Sequence, residues 1–120
     1  MTIRIGVLIS GNGTNLQAII DRIAAGALDA QIALVVSSRS SAYGLKRAEA
    51  AGLQTLTLSE EIYADPLVAD EVIAKELVQH GVEYVVMAGY MRKVHEIILG
   101  AYPNHVINLH PADRKSTRLN

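Results

Sequence analysis

Residues 3–15 read Ile-Arg-Ile-Gly-Val-Leu-Ile-Ser-Gly-Asn-Gly-Thr-Asn, and they indicate the fold class. The aliphatic run from Ile3 to Ile9 is typical of a strand covered on both faces, because a strand with one wet face alternates apolar and polar residues. A glycine-rich turn follows, and apolar residues then recur at helical spacing, at Leu16, Ile19, Ile20 and Ile23. The opening therefore predicts a buried parallel strand that a glycine loop joins to an amphipathic helix.

The alternation of strand and helix continues along the chain. Further strands are predicted at 32–36, 54–58, 84–88 and 106–109. Further helices are predicted at 42–51 and 94–99, and a third begins at the cap Asp65 and Pro66 and ends near His80. With right-handed crossovers, this order predicts an α/β domain with a Rossmann-like, doubly wound, mostly parallel sheet. Ligands of such sheets bind outside the carboxyl ends of the strands. Function is therefore expected at residues 10–15, 37–40, 88–92 and 108–111.

The composition narrows the class of protein. The chain has 120 residues, of which 50% are hydrophobic and 19% charged, and it has no cysteine. A chain of this length can form a hydrophobic core without disulfides or metal ions. The lack of cysteine excludes disulfide scaffolds and cysteine-ligated zinc, and a cytoplasmic protein is expected. The 11 basic and 12 acidic residues give no basic footprint for nucleic acid, and no apolar run is long enough for a signal peptide or a membrane span.

The loop from Ser10 to Asn15 lies between the first strand and the first helix, where free backbone N–H groups and the helix dipole favour an anion such as phosphate. It matches neither the dinucleotide fingerprint, since Leu16 replaces the third glycine, nor the P-loop. A tight turn without a ligand is the alternative. If the loop cradles phosphate, Gly13→Val is expected to block the ligand and to leave the core intact.

A rival hypothesis rests on Arg39, which follows the second predicted strand. An enzyme that uses a nicotinamide cofactor with a ribose phosphate can place an arginine at this point. The glycine pattern does not support that cofactor, and a solvated loop arginine is the simpler interpretation.

The most informative polar residues are those of Asn108-Leu109-His110-Pro111, at the end of the fifth predicted strand. Alternation places Asn108 and His110 on one side of the strand and Leu109 on the other. An imidazole can move a proton near neutral pH, and an amide can donate a hydrogen bond to an oxygen that gains charge. Carbonyl-group transfer needs both, although a structural histidine is the alternative. The other histidines show no metal-ligand spacing, and no metal is expected.

Three motifs make residues 3–111 similar to the glycinamide ribonucleotide transformylase family. Residues 7–18 resemble its phosphate motif, 88–92 its folate-site segment and 107–111 its catalytic strand. The asparagine and histidine of the third motif are shared with other formyl-tetrahydrofolate enzymes, such as methionyl-tRNA formyltransferase and formyltetrahydrofolate hydrolase. The Gly-Asn-Gly-Thr-Asn of the first motif is what points to the ribonucleotide family.

The resemblance implies transfer of a formyl group from formyl-tetrahydrofolate, as co-substrate, to the amine of glycinamide ribonucleotide in purine synthesis. It implies that the phosphoribosyl end of the substrate is held by Gly13, Thr14, Asn15, Leu16 and Gln17. The folate would be bordered by Met91, Arg92, Lys93, Val94 and Asn108. Asn108 would stabilise the oxyanion, and His110, as imidazolium, would assist it and relay a proton to the folate nitrogen. A noncatalytic nucleotide-binding module and another formyl-tetrahydrofolate enzyme remain alternatives.

The chain departs from this family in two places. Relatives continue after the His-Pro pair to a catalytic aspartate, for which no acidic residue here can be assigned, and many have a folate-site arginine where this chain has Pro66. We therefore expect 1–112 to be the amino-terminal part of a truncated formyltransferase domain, inactive by itself. Residues 113–120 are expected to be a non-native tail, because Asp-Arg-Lys-Ser-Thr-Arg-Leu-Asn is one reading frame of a common sequencing adapter.

Overall fold

The computed structural model describes residues 2–109, which form a five-stranded sheet flanked by helices. The strands are β1 (Ile3–Ile9), β2 (Ala30–Ser37), β3 (Thr55–Thr57), β4 (Tyr84–Ala88) and β5 (Val106–Leu109). The helices are α1 (Thr14–Ala24), α2 (Tyr43–Ala50), α3 (Glu60–Tyr63), α4 (Pro66–Gln79) and α5 (Glu96–Ala101). All pairings are parallel and the strand order is β3-β2-β1-β4-β5, which confirms the predicted α/β, doubly wound fold.

β1 is the central strand, and both of its faces are covered. Ile5, Val7 and Ile9 pack into an apolar cluster with residues of α1 and α2. Leu8 points the other way, into a second cluster that contains residues of α3, α4 and α5. The continuous apolar run in the sequence follows from this placement, since neither set of alternate side chains faces water. No helix within residues 2–109 is long and apolar enough to cross a membrane.

Side chains define the starts of the helices on the second face. Asp65 caps α4 as predicted, and its Oδ1 accepts a hydrogen bond from the Leu67 N–H at 3.2 Å. The unpredicted helix α3 is capped by Ser59, whose hydroxyl accepts from the Ile62 N–H. The helix predicted at 94–99 is instead α5, two residues later, because the buried carboxylate of Asp70 accepts hydrogen bonds from the N–H groups of His95 and Ile98. The sequence predicted four helices, whereas residues 2–109 form five, because α3 was not predicted.

The order of the strands reverses beside β1. β2 follows β1 on one side, whereas β4 pairs with its other edge. In a parallel sheet the loops that follow the strands gather at one edge, and a crevice opens where the order reverses. The loops after β1 and β4 therefore meet at the point where a ligand is expected.

The face of the sheet that carries α1 has an apolar groove of about 320 Å³ beside β4 and β5. Its walls include Ile3, Tyr84 and Ile107, and Ile3 and Ile107 are 42% and 45% exposed. β5 is the edge strand of the described sheet. Apolar side chains thus reach solvent at this edge.

Gly6 in β1 is required by close packing against α4. A Cβ at this position would lie 2.5 Å from Leu77 Cδ2 and 3.2 Å from Val82 Cγ2, and Leu77 is fully buried. We expect Gly6→Ala to lower the free energy of unfolding by about 1–3 kcal/mol, the usual cost of overpacking a core. Gly100→Ala is the matched control, because its Cβ meets no atom within 4 Å and lies in α5. Urea denaturation of both variants measures the difference, and equal stabilities would contradict this packing.

Candidate active site at the carboxyl edge of the sheet

The glycine loop ends in an open helix start. Gly13 is the N-cap of α1, has a left-handed backbone with φ 78°, and supplies no side-chain cap. The first hydrogen bond of the helix runs from the Gln17 N–H to the Gly13 carbonyl at 2.8 Å. The N–H groups of the first turn before Gln17 have no intrahelical acceptor, so they are directed toward any anion at this point.

The residues predicted to hold the phosphoribosyl group differ in exposure. Thr14 is exposed, and Asn15 and Gln17 are partly buried. Leu16 is fully buried in the cluster beneath α1, so its side chain faces the core and only its backbone N–H is available at the helix start.

Gly13 also makes a backbone contact that the sequence did not reveal. A Cβ on Gly13 would lie 2.5 Å from the Gly44 Cα, at the start of α2, and the left-handed φ is itself unfavourable for other residues. The expectation that Gly13→Val leaves the core intact is therefore wrong, because the new side chain would push α2 away from the loop.

Arg47 of α2 reaches back to the same loop and was not identified from the sequence. Its Nε donates to the Asn12 carbonyl at 2.8 Å, and its other nitrogens donate to Asn12 Oδ1 and Gln17 Oε1. The guanidinium therefore holds the loop and adds positive charge beside the open helix start. No sequence pattern marks this residue, since its role depends on how α2 packs against the loop.

The predicted folate segment lies directly beside the glycine loop. Met91, Arg92 and Lys93 are exposed and Val94 is partly buried. The Met91 N–H donates to the Ser10 hydroxyl at 2.7 Å, which joins the two loops. A pocket of about 320 Å³ adjoins this segment, and its walls include Tyr63, Pro66, Asp70, Tyr90, Arg92 and Lys93.

A pair of tyrosines lines this pocket. The hydroxyls of Tyr63 and Tyr90 are hydrogen-bonded at 2.8 Å, and the Arg92 guanidinium carbon lies 4.3 Å from the centre of the Tyr63 ring. Burial raises the pKa of Tyr90 far above its usual range, and the hydrogen bond with Tyr63 raises it further. Burial also raises the pKa of Tyr63, against the lowering effects of the Tyr90 hydrogen bond and the Arg92 charge. Both phenols are therefore neutral at physiological pH, and Arg92 rests on an uncharged ring.

Asp70 anchors the far end of the predicted folate segment, residues 91–94. Its carboxylate is 2% exposed, and its two oxygens accept from the N–H groups of His95 and Ile98, each at 2.8 Å. Sequence reasoning missed it because it lies within the helical pattern of α4. An acidic residue on the buried side of an amphipathic helix was the feature that could have identified it.

The predicted catalytic pair is described only in part. Asn108 is exposed on β5 and is paired in register with Met87 of β4. Leu109 packs against the cluster beneath α1 and Val106 against the other cluster, so the predicted alternation of β5 is present. His110 and the tail 113–120 lie outside the described residues.

Arg39, the basis of the rival hypothesis, is exposed beside a polar pocket of about 600 Å³. Serine and threonine side chains from the ends of β2 and β3 form much of the wall, together with Glu60. Within residues 2–109 the Arg39 guanidinium has no hydrogen-bond or ion-pair partner, as a solvated arginine is expected to have none.

Comparison with known proteins identifies relatives of the whole described domain. The formyl transferase family matches residues 3–112. The phosphoribosylglycinamide formyltransferase of Haemophilus influenzae is 37% identical over 109 residues, which are 91% of this chain and 51% of that protein. Two crystal structures of glycinamide ribonucleotide transformylase 1 are also similar over 92% of this chain. That from Symbiobacterium toebii is 46% identical, with a TM-score of 0.87 and 52% of its length covered. That from Geobacillus kaustophilus is 33% identical, with a TM-score of 0.88 and 59% of its length covered. The chain spans about half the length of these relatives.

The contacts of Arg47 predict a role in anion binding. We expect Arg47→Ala to weaken binding of ribose 5-phosphate about tenfold, because Asn12 of the loop loses two hydrogen bonds, Gln17 of α1 loses one, and an adjacent positive charge is removed. Lys46→Ala removes the same charge from an exposed neighbour on α2 and is expected to change the Kd less than about twofold. Isothermal titration of both variants measures the difference, and equal Kd values would contradict a specific role for Arg47.

Proposed function

The chain belongs to the formyl transferase family, and we propose on that basis that it is the amino-terminal part of an enzyme that transfers a formyl group from formyl-tetrahydrofolate to glycinamide ribonucleotide. The observation that carries the proposal is the direct contact of two loops. The glycine loop, which leads into the open start of α1, meets the segment from Met91 to Val94 through the Ser10 hydroxyl. Two substrates that react with each other require adjoining sites.

For the ribonucleotide, we assign the phosphate end to the start of α1. Gly13 and Leu16 would contribute backbone N–H groups, and Thr14, Asn15 and Gln17 would contribute side chains as well. Support comes from the uncapped helix start and from the Arg47 guanidinium, which supplies positive charge to a dianionic group.

For the folate, we assign the segment from Met91 to Val94 together with Asn108. The adjoining pocket has apolar and aromatic walls and two cations, Arg92 and Lys93, which suits an anionic ligand with a flat aromatic ring. Pro66 in this wall stands where the resemblance led us to expect an arginine. Among the described residues that line the pocket, Arg92 on the Tyr63 ring is the arginine.

In the proposed reaction the substrate amine attacks the formyl carbon, a new C–N bond forms, and the bond from that carbon to the folate nitrogen breaks. The Asn108 amide would donate a hydrogen bond to the formyl oxygen as it becomes an oxyanion. His110, as imidazolium, would assist at this oxygen and relay the proton that the amine loses to the folate nitrogen. Asn108 is exposed near the carboxyl end of β5, where ligands of a parallel sheet bind, and this position supports its role.

We further propose that residues 1–112 are family sequence and that 113–120 are not. The family match supports this boundary because it ends at residue 112. The 120-residue chain is accordingly expected to bind ligands but to transfer no formyl group.

Ligand titration separates the proposed function from its rivals. We expect the 120-residue protein to bind glycinamide ribonucleotide and folic acid and not to bind NADPH, as followed by isothermal titration calorimetry. Binding of the ribonucleotide alone would favour a noncatalytic nucleotide-binding module. NADPH binding that Arg39→Ala abolishes would favour the oxidoreductase.

Catalysis is tested in a fusion of residues 1–112 to the remaining half of the Haemophilus influenzae relative. We expect His110→Ala to lower kcat at least about 100-fold through loss of proton transfer. Asn108→Ala is expected to raise the barrier by about 2.7–4 kcal/mol, the usual cost of one oxyanion donor. His80→Ala is the control, because its imidazole bonds to the Glu76 carbonyl at the end of α4. A normal kcat in the His110 variant would contradict the assigned role.

A further inference from the structure

Ser10 is a buried residue that joins three loops at the carboxyl edge of the sheet. It follows β1 directly and is 1% exposed. Its hydroxyl accepts the Met91 N–H, from the loop after β4, and is hydrogen-bonded to the Ser38 hydroxyl, from the loop after β2. One side chain thus connects the ends of three neighbouring strands.

The folate segment depends on side-chain oxygens for its backbone position. The Met91 side chain is 75% exposed, so packing of that side chain does not hold the segment. At one end the Met91 N–H donates to Ser10, and at the other the His95 N–H donates to Asp70. Residues 91–94 therefore lie between two buried acceptors. Arg92 on the Tyr63 ring and Val94 against the adjacent core cluster also hold the segment, both on the side of the sheet that carries α3 and α4. Gly89 begins this loop with a left-handed φ of 76°, a conformation suited to the turn that leaves β4.

The two acceptors anchor the segment to different parts of the fold. Asp70 belongs to α4, which packs on one face of the sheet, whereas Ser10 is the first residue of the glycine loop. The Ser10 hydroxyl therefore ties the segment directly to the loop that leads into the open start of α1. Loss of the hydroxyl would leave the Met91 N–H without its acceptor, which carries a free-energy penalty for a partly buried donor.

We propose that Ser10 is a positioning residue, which fixes the position of the folate segment 91–94 relative to the glycine loop and contacts neither substrate. The assignment of ligands to the two loops rests on the proposed function. The hydroxyl contact itself does not.

Ser37 provides a matched control. It is also a fully buried serine, and its hydroxyl bonds to the Arg39 backbone, donating to the carbonyl at 2.7 Å and accepting from the N–H at 3.1 Å. These bonds lie within one turn and join no second loop. Ser37→Ala therefore removes a buried hydroxyl of the same kind without releasing the folate segment.

The first test measures amide exchange in the unliganded 120-residue protein by NMR. We expect the Met91 N–H to exchange at least about tenfold faster in Ser10→Ala and at an unchanged rate in Ser37→Ala. Amides of β1 and β4 report global stability and are expected to stay protected. Unchanged Met91 exchange in Ser10→Ala would overturn the proposal. If this variant fails to fold, Ser10→Cys keeps the size of the side chain with a weak acceptor and is expected to accelerate Met91 exchange in the same way.

The second test compares two ligands. We expect Ser10→Ala to raise the Kd for folic acid about 5- to 50-fold and the Kd for ribose 5-phosphate less than about twofold, because the helix start keeps its own contacts. Equal weakening of both ligands, or of neither, would overturn the positioning role. Absence of folic acid binding to the unsubstituted protein would overturn the proposed function, and Met91 exchange would still decide whether Ser10 holds the segment.

Discussion

β1 has hydrogen-bonded neighbours on both edges and apolar layers on both faces, and the rest of the domain is arranged around it. A strand enclosed in this way reaches solvent only at its ends, so the chain leaves β1 at the carboxyl end of the sheet. Because its neighbours run parallel to it, their chains emerge at the same edge. The polar groups of Ser10, Ser38 and Met91 are thereby brought within hydrogen-bonding distance without a dedicated structural element.

The candidate site is built largely from backbone groups that side chains from other parts of the chain hold in place. Arg47 holds the glycine loop, Asp70 holds the start of α5, and Ser10 joins the two regions. Such bonds suit a site of this kind because the loops themselves contain few apolar side chains to pack. Positions in the well-packed layers below, rather than in the loops, determine where the loops lie.

The sequence predicted most of the fold and only part of the site. The bounds of β1, β4 and β5 were predicted correctly, because buried strands read as short aliphatic runs with polar ends. Local pattern could not supply the start of α5 or the role of Arg47, since each depends on a partner distant in the chain. The cap of α3 is local, because Ser59 bonds to Ile62, but the helix has only four residues and shows no apolar period. Gly13 illustrates the limit best. A glycine beside a ligand and a glycine beside another helix look the same in a sequence, and here the Gly44 backbone is the neighbour.

The neutral pair of Tyr63 and Tyr90 gives the domain an optical property. The chain has no tryptophan or phenylalanine and five tyrosines, so tyrosine alone accounts for its intrinsic emission. Two of the five line the pocket beside residues 91–94 and are neutral phenols, and burial raises the pKa of both further from physiological pH. An aromatic guest that absorbs where tyrosine emits would quench these two fluorophores by energy transfer. The protein therefore carries its own spectroscopic reporter of pocket occupancy, without a label.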